Sequence, residues 1–285
     1  MTPSLSEPSS ALRFDWHVHS DFSPDAEGSV REYCAAARRA GLSGLCFTTH
    51  YEPDPARADR ERVRVNGRLL PVSSDWVGRY RQAIAEARLA YPELVVLAGV
   101  EIGFEPGLEG LTREFLVRHR FDFVIGSVHS IEHVALSSGS EQAEFAEWAR
   151  RLTPEEVMAR YLERVAAAAR SGLFDTLGHF DIYRKYAVKL LGTGLLPAVE
   201  SRLPGAIEAI AASRTALEIN TSAFRRGDSE PYPAEAILRK ALEVGVRRFT
   251  IGSDAHRPAD VGAGFDRVRV LLQKLGVRDS QVRTP

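Results

Sequence analysis

Cysteine is scarce in this 285-residue chain: only Cys34 and Cys46 are present, each inside an apolar segment. Two thiols build no disulfide framework, so both are expected to be buried and reduced, as in a cytoplasmic protein. Long apolar runs are also missing. The longest, such as Leu94–Ala98, fall far short of the about 20 residues needed to cross a bilayer, so a membrane-spanning helix is excluded. Charge of one sign is absent as well: 37 Lys and Arg stand against 38 Asp and Glu. That balance gives no ground for a nucleic-acid partner. Residues 1–10 have neither a basic start nor an apolar stretch, so no secretory signal is expected there. They read as a short disordered tail rich in Ser and Pro. No repeat or Gly/Ser linker divides residues 11–285, which are expected to form a single domain.

What is present is an alternation. Short apolar runs occur at Phe14–Val18, Gly44–Thr48, Leu94–Glu101, Phe121–Val128, Thr176–His179, Ala216–Asn220 and Arg248–Gly252. Each is bounded by Gly, Pro or polar residues, as buried strands are. Amphipathic stretches lie between them: Val30–Ala40 after the N-cap candidate Ser29, Asp75–Tyr91, a helix opening at Thr153-Pro154-Glu155-Glu156 and reaching Arg170, Ala206–Ser213 and Pro233–Val244. Seven strands with helices between them predict a parallel α/β fold, either a closed barrel or an open doubly wound sheet. The first run is followed by His17-Val-His-Ser-Asp-Phe-Ser-Pro-Asp25 and carries no glycine-rich fingerprint, which excludes a dinucleotide sheet and a P-loop.

Histidine carries the chemistry. Six of the eight fall at or just past the end of a predicted strand: His17, His19, His50, His129, His179 and His256. Glu101 ends the third run, Asp25 lies in the loop after the first, and Asp254 follows the seventh. In a parallel barrel these positions share one face. His17 and His19, two apart on a strand, point the same way and can grip one ion. Imidazole with carboxylate suits Zn, Mn or Fe. A lone histidine in an apolar run is ordinarily a core or surface residue. Six imidazoles and three carboxylates gathered without metal would be costly to bury. More than one divalent ion is therefore expected, two or three, with a bridging carboxylate. His119, in a basic helical segment, and His133, in a loop, fit a solvated reading.

Asp15-Trp-His17-Val-His19-Ser, Thr49-His50, Gly126-Ser-Val-His129 and Gly252-Ser-Asp254-Ala-His256 resemble, in order, the four motifs of the polymerase-and-histidinol-phosphatase (PHP) superfamily. The resemblance runs from about Arg13 to about Gly264 and implies a distorted seven-stranded (β/α) TIM-like barrel with a trinuclear metal site. It implies His17, His19, Glu101 and Asp254 on a first ion. Glu101 would bridge to a second, with His129 and His179. Asp25, His50 and His256 would hold a third; Asp25 stands where many relatives have histidine. Gly103-Phe-Glu105, His129-Ser-Ile131, Gly178-His-Phe-Asp181 and Glu218-Ile-Asn-Thr-Ser222 resemble the histidinol-phosphate phosphatases of the superfamily. The implied reaction is metal-dependent hydrolysis of a phosphomonoester, with a bridging hydroxide attacking phosphorus and Asp254 or His256 moving a proton.

Phosphate also calls for Arg, and Arg184 and Arg225 follow strand ends. Asn220 is a further candidate to orient ligand or substrate. Glu105, Asp181 and Tyr183 are candidates to face the ammonium and imidazole of histidinol phosphate. Glu52–Ser74, with five arginines, is either a lid or a solvated surface excursion. The alternatives are a PHP phosphoesterase for a nucleotide or sugar phosphate, an amidohydrolase-like C–N hydrolase, and a metal-stabilised module without catalysis. His129 stands where an amidohydrolase commonly carries lysine.

Overall fold

The computed structural model describes residues 10–192 and 195–285. Of the tail expected over residues 1–10, all but Ser10 lies outside the described residues, and Ser10 opens a short turn, Ser10–Arg13. Strands β1 (Phe14–Val18) and β2 (Gly44–Tyr51) precede an antiparallel hairpin of β3 (Arg62–Val65) and β4 (Arg68–Pro71). Then come β5 (Val95–Gly103), β6 (Phe123–Ser127) and a smaller hairpin of β7 (Ser130–Ile131) and β8 (Val134–Ala135). The last three are β9 (Thr176–Leu177), β10 (Ala216–Asn220) and β11 (Phe249–Gly252). Helices in chain order are α1 (Val30–Arg39), α2 (Val77–Ala90), α3 (Glu109–His119), α4 (Gln142–Ala149) and α5 (Pro154–Ser171). They continue as α6 (Ala187–Leu191), α7 (Leu195–Ala212), α8 (Ser222–Arg225), α9 (Glu235–Val244) and α10 (Phe265–Leu275).

Seven strands form one sheet in the order β1-β2-β5-β6-β9-β10-β11, every neighbouring pair parallel. The ends come back together. The Asp254 N–H donates to the His17 carbonyl at 2.7 Å and the His19 N–H to the Ala255 carbonyl at 2.9 Å. Val18 and Ala255 pair as a parallel bridge, so the sheet rolls into a nearly closed barrel of seven strands.

The pleat decides what each face holds. Leu45 and Phe47 of β2 pack outward with Val30, Tyr33 and Ala37 of α1 and with Val77, Tyr80 and Ile84 of α2. Cys46, between them, faces inward with Phe14, Trp16, Phe123 and Ile125. That aromatic plug fills the N-terminal end of the barrel. Arg283 stacks on it from below, 5.1 Å from the Trp16 ring and 4.9 Å from the Phe123 ring. The pairing of β1 with β2 slips between Asp15 and Val18. A bulge of this kind re-aims side chains, so Trp16 joins the plug while the adjacent His17 joins the mouth.

Ser29 and Thr153 both complete capping boxes, with Glu32 and Glu156, as the sequence spacing predicts. Helix α7 begins well before the expected Ala206. It runs through Pro204, and its packing against α5 outweighs an interior-proline penalty of about 3 kcal/mol. Helices α3, α4, α6, α8 and α10 lie outside the stretches expected to be helical. The run Thr176–His179 is strand only over Thr176–Leu177. Among the described residues no helix is long and apolar enough to cross a membrane.

Glu105, just past β5, is tied to α5 by a forked pair with Arg164: Nη2 to Oε1 is 2.7 Å and Nε to the two oxygens 3.2 and 3.3 Å. Both side chains are nearly buried. Glu105→Ala would leave a buried guanidinium without its counter-charge, so it is expected to cost about 3 kcal/mol in urea unfolding, and Glu105→Ala with Arg164→Met should recover part of that loss.

Candidate metal centre

The C-terminal ends of the strands collect every ligand-type residue read from the sequence. His17 Nε2 and His19 Nε2 lie 3.0 Å apart. Glu101 Oε2 is 3.3 Å from the first and 3.5 Å from the second, and Asp254 Oδ1 is 3.7 and 3.3 Å from them. On the other side of Glu101, Oε1 is 2.9 Å from His179 Nε2 and 3.2 Å from His129 Nε2, with those two nitrogens 3.4 Å apart. His50 turns Nδ1 to Glu101 Oε2 at 2.9 Å and Nε2 to Asp25 Oδ2 at 3.7 Å. His256 Nε2 meets the same Asp25 oxygen at 3.2 Å.

The donor set fits divalent ions. Glu101 Oε2 is fully buried and makes no hydrogen bond, although three imidazole nitrogens stand within 3.5 Å. A buried carboxylate oxygen without a donor is costly, and atoms that converge without bonding one another suit a shared cation. Three such groups recur: His17, His19 and Glu101; His50, Glu101 and His129; His19, His50 and His256. Cys34 and Cys46 are buried elsewhere and lend no thiolate.

The local backbone is shaped for this convergence. Asp254 has φ 52, a left-handed conformation that costs a non-glycine residue about 1–3 kcal/mol. Its main-chain bond to His17 and contacts to both imidazole groups hold it there. Gly178 and Gly252 leave room: a Cβ at Gly178 would meet Ser127 Oγ at 2.4 Å, and one at Gly252 would meet Glu218 Oε1 at 2.3 Å.

The charges are strongly coupled in the metal-free chain. Burial disfavours the Glu101 carboxylate, but His17, His129 and His50 outweigh it and hold its pKa well below the carboxylate range. Burial also opposes the His129 imidazolium, yet Glu101 and Glu52 lift that pKa to about 9. His19 goes the other way, to about 3, through burial and the neighbouring His50 and His256.

Several residues escaped the sequence reading. Glu218 Oε1 accepts from His17 Nδ1 at 2.6 Å, and its Oε2 accepts from the His179 N–H at 2.7 Å. Glu52 Oε1 holds His129 Nδ1 at 2.6 Å, and Ser127 Oγ donates to Glu101 Oε1 at 2.6 Å. Such partners fix the ring orientation of a ligating histidine. A period-two spacing was the available signal for two of them: Glu218 is two residues before Asn220, and Glu52 two after His50.

Other candidates sit differently. Arg184 donates to the buried Asp181 at 3.1 Å and to the Pro231 carbonyl at 2.7 Å, because a carboxylate buried there needs a counter-charge. It does not line the cavity in front of the cluster. Arg225 donates to the Asp254 carbonyl at 2.8 Å and lies near Asp260. Asn220 Nδ2 donates to Glu218 and Asp254, so it steadies the cluster from behind. Glu105 is spent on Arg164, and Tyr183 is buried against Tyr161. His133 sits in the β7–β8 turn, bonded to Asp54 at 2.6 Å, and His119 ends α3 against Phe115.

The cavity has a volume of about 480 Å³. Its floor is His50, Glu101, His129, His179, Asp254 and His256, and its walls include Glu52, Arg57, Arg60, Glu61, Glu141 and Lys185. The stretch Glu52–Ser74 therefore forms one side of the opening. It is pinned there by Arg57, whose guanidinium spans Glu61 and Glu141.

Comparison with known proteins agrees with this geometry. The chain is 35% identical, over 93% of its length and 94% of the relative's, to a Deinococcus radiodurans protein named "probable histidinol-phosphatase". It is 24% identical, over 94% of its length and 93% of the relative's, to a histidinol-phosphatase of Lactococcus lactis. The solved histidinol phosphate phosphatase of Lactococcus lactis, in complex with zinc, L-histidinol and phosphate, shares the fold at a TM-score of 0.74 and 24% identity, covering 94% of this chain and 95% of that one. Residues 15–222, which carry β1 to β10 and all of the cluster but Asp254 and His256, match the PHP domain, and the chain belongs to that family.

Proposed function

We propose that this chain is a metal-dependent phosphomonoesterase that hydrolyses L-histidinol phosphate to L-histidinol and phosphate, a cytoplasmic step of histidine biosynthesis. One observation carries the reading: a buried Glu101 presents one oxygen to His129 and His179 and the other to His17, His19 and His50. In this reading His17, His19, Glu101 and Asp254 hold a first ion, and Glu101, His129 and His179 a second. Asp25, His50 and His256 hold a third. The relatives' names and the zinc in the Lactococcus lactis structure support it.

Bound divalent ions neutralise phosphoryl charge and lower the pKa of water to about 7. The protein does the rest. Glu218 and Glu52 aim the His17 and His129 rings, and Ser127 and Asn220 steady Glu101 and Asp254. Asp254 sits between the imidazole pair of β1 and His256, 3.5 Å from His256 Nδ1, and moves the proton of the reaction with it. Lys185 lines the cavity and has no ion pair among the described residues, so phosphate recognition passes to it, in place of Arg184 and Arg225, which do not line the cavity and are each paired with an aspartate.

His17→Ala and Asp254→Ala are expected to remove turnover of histidinol phosphate while the barrel still folds by circular dichroism; near-normal rates would refute their roles. Glu218→Gln should weaken metal affinity roughly 10–100-fold, read by titration with Zn²⁺ or Mn²⁺. Ligation needs neutral imidazole. His129 rests at about 9 in the metal-free chain and is therefore protonated at pH 7. Metal uptake at pH 7 should then release protons, and apparent affinity should climb as pH rises toward about 9. An indicator dye that records no release would contradict this charge arrangement.

A further inference from the structure

Arg64 lies in the arginine-rich stretch, on β3, with Val63 and Val65 buried on the opposite face. Its guanidinium reaches away from the cavity to the loop that carries Asp25. Nη1 donates to the carbonyls of Asp21 at 3.2 Å, Ser23 at 3.3 Å and Ala26 at 3.1 Å, and Nη2 donates to that of Pro24 at 2.6 Å. The Arg64 backbone N–H takes the Phe22 carbonyl at 2.8 Å. Of the six carbonyls from Asp21 to Ala26, only that of Asp25 itself does not accept from this one residue.

We propose that Arg64 is a positioning residue for the third ion, shaping the Asp21–Ala26 loop so that the Asp25 carboxylate points at His50 and His256. This rests on the three-ion reading above. Four carbonyl dipoles aimed at one point repel one another, and the arrangement is stable only around a cation. A guanidinium supplies a planar fork of donors in fixed directions, whereas an ammonium supplies fewer and no plane. The far end of the loop is held separately, by the Glu27 N–H on the His256 carbonyl at 2.9 Å. Asp25 lies between these two anchors with an exposed side chain, in a loop whose own turn bonds run from the Ala26 N–H to the Ser23 carbonyl at 3.2 Å and from the Asp21 N–H to the Gly28 carbonyl at 2.8 Å. The proposed ligands of the first two ions lie outside this loop, on or just past the barrel strands. Ser23, on the loop, also touches His19 Nδ1 at 3.2 Å, so the same anchor steadies one ring of the first site.

The test is metal content and affinity in Mn²⁺-loaded full-length protein, measured by elemental analysis and by titration of chelator-treated protein. Arg64→Met should carry about one ion fewer per chain than wild type, as Asp25→Asn should, while the other two ions stay bound, the first of them more weakly through the loosened Ser23 contact to His19. Arg64→Lys should restore the missing ion with an affinity roughly 10–100-fold weaker. Wild-type metal content in Arg64→Met, beside a lost ion in Asp25→Asn, would overturn the role of Arg64 and leave the three-ion reading standing. An unchanged count in Asp25→Asn would overturn that reading, and the role of Arg64 with it. If Arg64→Met fails to fold, Arg64→Lys decides, and wild-type affinity at every site in that variant would overturn the proposal.

Discussion

A single carboxylate at the end of β5 sets the terms for the mouth of the barrel. Glu101 has no exposure to solvent, and five imidazoles stand within 3.5 Å of its oxygens. An isolated charge in that position would be expelled or protonated. It persists because positive charge surrounds it on both sides, and the strands that deliver this charge are adjacent or face each other across a narrow barrel. The small residues at the strand ends follow from the same demand, since Gly178 and Gly252 leave space that any side chain would take from the cluster.

Much of this was legible in the chain itself. Strand positions could be read because buried parallel strands are short apolar runs with sharp ends, and His17, His50, Glu101 and Asp254 mark those ends. The capping boxes at Ser29 and Thr153 were legible because they depend on residues three apart. Less visible were features set by distant partners. Nothing local tells that Arg184 is claimed by the buried Asp181, or Glu105 by Arg164 on α5. Helix α7 crosses a proline because a neighbouring helix supports it, and local propensity contains no term for that neighbour.

The arginine-rich stretch after β2 shows the same division. As sequence it is a polar excursion of unusual length. In three dimensions its arginines separate because Arg57 ends the short turn Pro55–Arg57 while Arg64 lies on β3. Arg57 braces acidic groups beside the cavity, and Arg64 gathers carbonyls on the far side. Charged side chains that look interchangeable in a composition count thus take different partners, chiefly carboxylates for one and main-chain carbonyls for the other.

The aromatic plug at the N-terminal end has a consequence for traffic. With Trp16, Phe123 and the overlying Arg283 sealing the base, the barrel is a blind well and not a tunnel. Reactant and both products share one doorway, so inorganic phosphate and the freed alcohol leave past the same acidic and basic wall that admits the next molecule. Whichever product lingers there keeps the newcomer out, and the rhythm of emptying becomes as much a property of that wall as the chemistry beneath it.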